Sequence, residues 1–302
     1  MGGKFGRLLL LAGAEALILS ILAGCETEDG IRNRERPGSG STPLSGTIHM
    51  AGSTSMEKLT DALAESFMEK YPDVRVVIRY TGSSAGIAAV AEGTADIGLS
   101  SRSLGQEERA GGMVENLVAL EGIAVCVDAG NPVEGLTEEQ LAGIYGGKIR
   151  NWSQLGGGDL PIVTVGREAG SGTRWAFETY LGMEDQCTYA NEMDSAGAVL
   201  ARVAATPGAV GYLAVDLVTE DVKVLSLEGN VPGGEAVREG SYRIWSPFVM
   251  ATMGEISGQD MLIQEWFAFV YGQEGREVAE QVGLVAVDPK GWKGGPGDED
   301  GE

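Results

Sequence analysis

Short continuous apolar runs along this chain are each followed by a glycine- and hydroxyl-rich turn and then by apolar residues at helical spacing. The first run, Thr47-Ile-His-Met-Ala51, predicts a strand. It enters Gly52-Ser-Thr-Ser55, after which Met56, Leu59, Leu63 and Phe67 recur with helical period until Tyr71-Pro72. Thr54 and Glu57 stand in the capping-box relation, so Thr54 is the expected N-cap. Val74–Tyr80 predicts a second strand, and Thr81-Gly-Ser-Ser-Ala-Gly86 opens a short helix over Ile87–Glu92. Thr94–Arg102 predicts a third, buried strand that ends in two hydroxyls and a cation.

The pattern then restarts. An apolar run over Gly122–Val127 precedes a helix at Thr137–Tyr145, with Thr137 and Gln140 as a further capping box. Leu160–Val165 predicts a buried strand and Trp175–Leu181 a helix, joined by Gly166-Arg-Glu-Ala-Gly-Ser-Gly-Thr-Arg174. A helix near Ala196–Ala205, a strand at Ala209–Leu213, a glycine-rich loop at Glu228–Gly240 and a strand at Trp245–Thr252 follow. Met261, Leu262, Trp266, Phe269 and Val270 mark one long C-terminal helix facing the core. Alternating strands and helices over 302 residues predict an α/β protein with room for two domains.

Four of the strand ends carry the same chemistry. The turns at Thr54 and Ser55, at Ser83, at Ser101, and at Ser171, Gly172 and Thr173 offer hydroxyls and backbone N–H groups, three of them at a helix start. Arg167 adds a planar cationic fork suited to an oxyanion. Ordinary helix capping accounts for any one turn taken alone. Four at the carboxyl ends of predicted strands, where open α/β sheets gather ligands, point to an anion site.

Charge narrows the partner. Asp and Glu number 44 against 22 Lys and Arg, a net charge of −22, and no basic stripe is present, which excludes nucleic acid as a partner. A small anion held by a local cluster of donors remains compatible with that charge. The N-terminus has the form of an export signal over residues 1–24: Lys4 and Arg7, then the apolar Leu8–Leu11 and Leu17–Leu22. Glu15 interrupts the apolar stretch, which falls short of the roughly 20 residues a membrane span needs. Residues 25–45, with no periodicity and rich in Gly, Pro and Ser, read as a flexible tether. Residues 291–302 read as a disordered acidic tail.

Other chemistries find little support. The only histidine, His49, has no second ligand beside it and is expected as a packed core residue, so neither a metal nor another cofactor is expected. Gly82-Ser-Ser-Ala-Gly86 matches the nucleophile-elbow pattern, but no histidine follows it. Ser55-Met-Glu-Lys58 matches Ser-x-x-Lys without its companion motifs. A serine hydrolase is therefore the remote alternative, and the protein is expected not to be an enzyme. Cys126, in an apolar run, and Cys187, in a polar segment, leave a disulfide open.

The residues together resemble the phosphate-binding lipoproteins of phosphate-specific ABC transporters, of the type found in Gram-positive bacteria. The resemblance rests on Leu22-Ala-Gly-Cys25, Ala51-Gly-Ser-Thr-Ser55, Thr81-Gly-Ser-Ser84, Ala95–Arg102, Ile144–Trp152, Gly166–Thr173 and Gly208–Tyr212, in family order. It implies a two-lobed periplasmic-binding-protein-like α/β fold of type II, with a ligand cleft between lobes joined by crossing strands. Lobe 1 would comprise residues 46–125 and 245–290, and lobe 2 residues 126–244. It also implies a monomer on the outer face of the cell membrane, anchored through lipid on Cys25, that delivers inorganic phosphate to an ABC permease. Carried over by position, the phosphate contacts would be Thr54, Ser55, Ser83, Ser101, Arg167, Ser171, Gly172 and Thr173. In family members, aspartates accept a proton-bearing hydroxyl of phosphate and so reject sulfate. Ser101 and Ala169 occupy those positions here, leaving Glu168 or Asp96 as candidates. Sulfate and molybdate are thus the alternative ligands.

Overall fold

Three parallel strands begin the molecule and set the geometry of everything that follows. In the computed structural model, which describes residues 43–287, these are β1 (Gly46–Gly52), β2 (Val74–Tyr80) and β3 (Ile97–Ser100), separated by α1 (Glu57–Lys70) and α2 (Ser83–Ala91). A short helix α3 (Gln106–Ala110) leads into β4 (Met113–Asp128). The expected export signal, Cys25, all but the end of the tether, and the acidic tail lie outside the described residues.

The second half contains β5 (Gly135–Leu136), α4 (Glu138–Tyr145), β6 (Val163–Arg167), α5 (Gly172–Tyr180), β7 (Asn191–Met193), α6 (Ala196–Ala204), β8 (Ala209–Ala214), β9 (Val222–Val224), β10 (Ser226–Leu227) and α7 (Gly234–Arg238). The chain returns through β11 (Trp245–Met253), α8 (Met261–Val270), α9 (Gln273–Gln281) and β12 (Val285–Ala286). The main sheet has the order β2-β1-β3-β11-β4-β8-β6-β7, so β4 is shared by two halves. Its Met113–Gly122 portion pairs antiparallel with β11, and its Ile123–Val127 portion pairs antiparallel with β8.

Each half has its own core. Ile48, Met56, Leu63, Phe67, Phe248 and Trp266 pack in the first, with Phe67 edge-on to Trp266 at 5.1 Å between ring centroids. Ile144, Tyr145, Trp152, Phe177 and Tyr212 pack in the second, where Phe177 stacks on Tyr212 at 3.9 Å. The Trp152 indole N–H donates to Gly208 O at 2.9 Å, satisfying the polar edge that burial would otherwise leave unpaired. Among the described residues no helix is long and apolar enough to cross a membrane.

Several expectations need correction. His49 is exposed, not packed in the core. Its neighbours Ile48 and Met50 face the core; on its own face α2 covers Ala51 through Ile87 and Val90, further along the strand. Thr54 is not the N-cap of α1. A 3₁₀ turn, Thr54–Met56, precedes that helix, and Ser53 caps the turn by accepting from Ser55 N–H at 3.2 Å.

The strand expected from Leu160 begins only at Val163, because Leu160 is exposed and Pro161 has no N–H to give a ladder. The apolar run at 122–127 is the end of a 16-residue strand whose earlier part carries the buried polar residues Asn116 and Glu121, which mask its periodicity. The loop expected at 228–240 contains α7. The single C-terminal helix is two helices, divided at Tyr271-Gly272 where glycine leaves the helical conformation, and Met261 is exposed at the start of the first. Cys126 and Cys187 are both free thiols.

Candidate anion site at the carboxyl ends of the strands

The parallel pairing of β1 with β2 and β3 brings the turns that follow them to one edge of the sheet. β6, in the other half, ends at Arg167, and its turn leads into α5. These four turns meet. Ser55 Oγ lies 2.7 Å from Thr173 Oγ1, and Ser101 Oγ lies 3.3 Å from the same Thr173 oxygen. Ser83 Oγ accepts from Ser101 N–H at 3.1 Å and from Gly172 N–H at 3.2 Å, and lies 3.3 Å from Ser101 Oγ. Thr54 Oγ1 accepts from Ala196 N–H at 3.1 Å, joining the first turn to the start of α6. Thr54, Ser55, Ser83, Ser101, Arg167, Ser171 and Thr173 are all at most 4% exposed, and Gly172 is buried with them.

Close approach explains the glycine. A Cβ on Gly172 would stand 2.7 Å from Ser101 C and from Ser83 Oγ, and 2.8 Å from Ser101 O. Only a residue without a side chain lets the α5 turn seat against the first half. Ser171 caps α5 by accepting from Arg174 N–H at 3.3 Å, so its hydroxyl serves the helix start.

Arg167 is 2% exposed and bonds Glu168 through two nitrogens, Nε to Oε2 and Nη2 to Oε1, both at 3.0 Å. Glu168 is half-buried, and its Oε1 lies 3.1 Å from where a Cβ on Gly82 would stand, in the second turn. Asp96 is not part of it: its carboxylate is exposed and accepts from His49 N–H at 2.7 Å, at the amino end of β3. Ala169 is also exposed. Arg102, the cation at the end of the third strand, is engaged elsewhere by Glu108 at 2.7 and 2.9 Å; this pairing holds the Glu108 carboxyl below its usual range even against its partial burial.

Two participants were not singled out by sequence reasoning. Ser53 Oγ lies 2.9 Å from Ser101 Oγ, and the Ser195-capped start of α6 supplies the N–H that meets Thr54. Ser53 stood in the same glycine-serine turn as Thr54 and could have been included. The contact at Ala196 crosses 142 positions and has no local signal. The hydrolase patterns lead elsewhere: Lys58 Nζ donates to Asp216 O at 2.6 Å, not to Ser55, and Ser84 is exposed with its N–H on Gly170 O.

The arrangement is a buried set of hydroxyls and backbone N–H groups at helix starts, with one cation held by an adjoining carboxylate. Such donors can surround an oxyanion without bulky counter-ions. Comparison with known proteins bears on which family built it. Residues 37–274 match the model of the PBP superfamily domain. Over 260 residues the chain is 34% identical to the phosphate-binding protein PstS of Bacillus subtilis, covering 84% of this chain and 86% of that one.

The chain belongs to the PstS family of the PBP superfamily. PstS of Borreliella burgdorferi is 23% identical over 80% of this chain and 90% of its own length. Among solved structures, a phosphate ABC transporter substrate-binding protein with bound phosphate from Clostridium perfringens aligns with a TM-score of 0.77 at 35% identity. It covers 80% of this chain and 100% of that one. An ABC-type phosphate transport receptor from Vibrio cholerae aligns with a TM-score of 0.65 at 32% identity, over 79% of this chain and 99% of its own. The two-lobed PBP-like α/β fold expected from the sequence is thereby established.

Proposed function

We propose that this chain binds inorganic phosphate between its lobes and delivers it to an ABC permease for import. The observation that carries the reading is the convergence of the Ser55, Ser83, Ser101 and Thr173 hydroxyls from four turns into one buried cluster, with the buried Arg167 ending the strand that leads into the Ser171–Thr173 turn. The relatives that match are named for phosphate binding and phosphate transport. In this reading Thr54, Ser55, Ser83, Ser101, Arg167, Ser171, Gly172 and Thr173 are the phosphate contacts. In the same reading residues 46–125 and 245–290 form lobe 1 and residues 126–244 lobe 2. A ligand touching both sides favours the closed arrangement by its extra contacts there, and closure signals loading to the permease. The chain works on the extracytoplasmic face, held by lipid on Cys25 after removal of residues 1–24. It acts by binding and release, without catalysis.

Selectivity in this reading rests on Glu168. It is the carboxylate bonded to Arg167, and a carboxylate accepts from a protonated phosphate oxygen but repels sulfate, which has no proton to give. Calorimetry is expected to give phosphate binding with weak or no sulfate binding; equal affinities would overturn the assignment. Arg167→Ala is expected to weaken phosphate binding by about 3 kcal/mol, since it removes one partner of a buried charged pair. Glu168→Gln is expected to narrow the gap between phosphate and sulfate, read in the same titrations.

A further inference from the structure

Arg167 is gripped by its backbone as well as used through its side chain. Its N–H donates to the Tyr212 hydroxyl at 3.4 Å. That hydroxyl donates to the Tyr189 hydroxyl at 3.2 Å, which donates to Glu178 Oε1 at 2.8 Å. Arg174 Nε donates to the same Glu178 oxygen at 2.8 Å, and Arg174 Nη1 donates to Arg167 O at 2.8 Å. The bonds form a ring that starts at the Arg167 N–H and ends at the Arg167 carbonyl.

Within the ring each phenol gives one hydrogen bond and accepts one, Arg174 donates both ways, and the acceptor shared by the phenol arm and by Arg174 is Glu178. Its other oxygen accepts from Asp185 N–H at 2.9 Å, and the residue is 3% exposed. Burial raises the Tyr189 and Tyr212 hydroxyls far above the ordinary phenol range, so both stay protonated and able to donate. The packing is equally specific. The Arg174 guanidinium lies 4.8 Å from the centre of the Tyr189 ring, and a Cβ on Gly166 would stand 2.2 Å from that ring. None of Arg174, Glu178, Tyr189 and Tyr212 belongs to the proposed contact set.

We propose that Glu178 is a positioning residue for the anion site, acting through Arg174, Tyr189 and Tyr212 to fix the backbone of Arg167 and hence the aim of its guanidinium. The inference rests on the phosphate reading of that site. The phenol arm of the ring has one direction, each O–H pointing on toward the Glu178 carboxylate, while Arg174 donates both to that carboxylate and to Arg167 O. Replacing Glu178 by glutamine puts an NH₂ group where an oxygen accepts and breaks the order of donors.

The test is calorimetry with inorganic phosphate on the full chain and on the E178Q, Y189F and Y212F variants, each also made in an R167A background and followed there by phosphate-dependent thermal shift. E178Q is expected to weaken phosphate binding about tenfold and each phenylalanine variant by a few-fold, in keeping with buried hydrogen bonds to charged and neutral groups. In the R167A background the same changes are expected to add nothing, the mark of residues that act through one another. The Arg167 amide resonance of the ligand-free protein is expected to move in Y212F and, through the ring, in E178Q. Y212F keeps the ring stacked on Phe177 and so serves if E178Q does not fold. Equal losses in both backgrounds, or unchanged affinity in Y212F and Y189F, would overturn the inference alone. Absence of phosphate binding by the unmodified chain would instead overturn the proposed function, and this inference with it.

Discussion

At the scale of single residues, the contact between the two halves turns on what Gly172 lacks. The atoms a Cβ would meet, Ser101 C and O and Ser83 Oγ, are backbone or themselves hydrogen-bonded, so they cannot yield cheaply. Gly172→Ala is therefore expected to leave the ligand-free protein folded while weakening phosphate binding at least tenfold, since it acts only where the halves meet. Paired calorimetry and thermal unfolding check this, and unchanged affinity would mean that the α5 turn does not bear on the ligand. Thr54 carries a related lesson. Its spacing to Glu57 was that of a cap, yet its hydroxyl bonds Ala196 N–H, because Ser53 one position earlier already serves the turn.

At the scale of elements, helix starts with local partners were readable from the chain. Thr137 and Gln140 form the capping box their spacing predicts, with bonds of 3.1 and 2.9 Å closing α4 at its amino end. Ser171 caps α5 through its side chain alone, without a return bond, and Ser171→Ala is expected to cost about 1 kcal/mol of stability in urea unfolding. Phosphate affinity should fall in the same variant, whereas Thr137→Ala should lose stability alone. Elements whose identity depends on distant partners were less legible. The early part of β4 carries Glu115, Asn116 and Glu121 yet is a strand, because β11 supplies its ladder from far along the chain and Asn116 finds Met250 O and Thr252 Oγ1 there, 134 and 136 positions away. The division of α8 from α9 was marked by Gly272, a signal present but outweighed by the run of apolar residues around it.

At the scale of the whole molecule, two buried acids occupy the region where the halves join. Glu121, on β4 opposite Ser246 of β11, is 1% exposed, and Asp216 follows β8 beside Lys58 of α1. Three of their carboxyl oxygens have no hydrogen-bond partner among the described residues. Burial pushes Asp216 up to about 7 despite the opposing charge of Lys58, and burial together with the charge of Asp216 raises Glu121 well above the carboxylate range.

Unfolded, these groups ionise near pH 4. Between about pH 4 and pH 7 Asp216 thus holds more proton in the native state than in the unfolded one, and its contribution to stability is lost as pH rises through that window, with Glu121 acting in the same direction. Asp216→Asn is expected to remove part of this slope, so that urea unfolding shows the variant gaining about 2 kcal/mol on the parent between pH 5 and pH 8. A difference that does not change with pH would refute that assignment.

The sequence by itself determined the α/β alternation, most strand and helix positions, and the residue types of the anion site, because runs, periods and hydroxyl-rich turns are local facts. It also carried the family resemblance, since the motifs recur in order along one chain. Tertiary structure alone decided which donors meet. Pairing of β1, β2 and β3 with one another, and the passage of β4 between two half-sheets, set Ser55 and Ser101 against Thr173 and Thr54 against Ala196 across more than seventy positions. The same folding took Asp96 to the far end of its strand, left His49 in solvent and closed a ring of hydrogen bonds around Arg167. The physical reason is that donor chemistry is written in residue type, whereas the distance between donors is set by strand order and register.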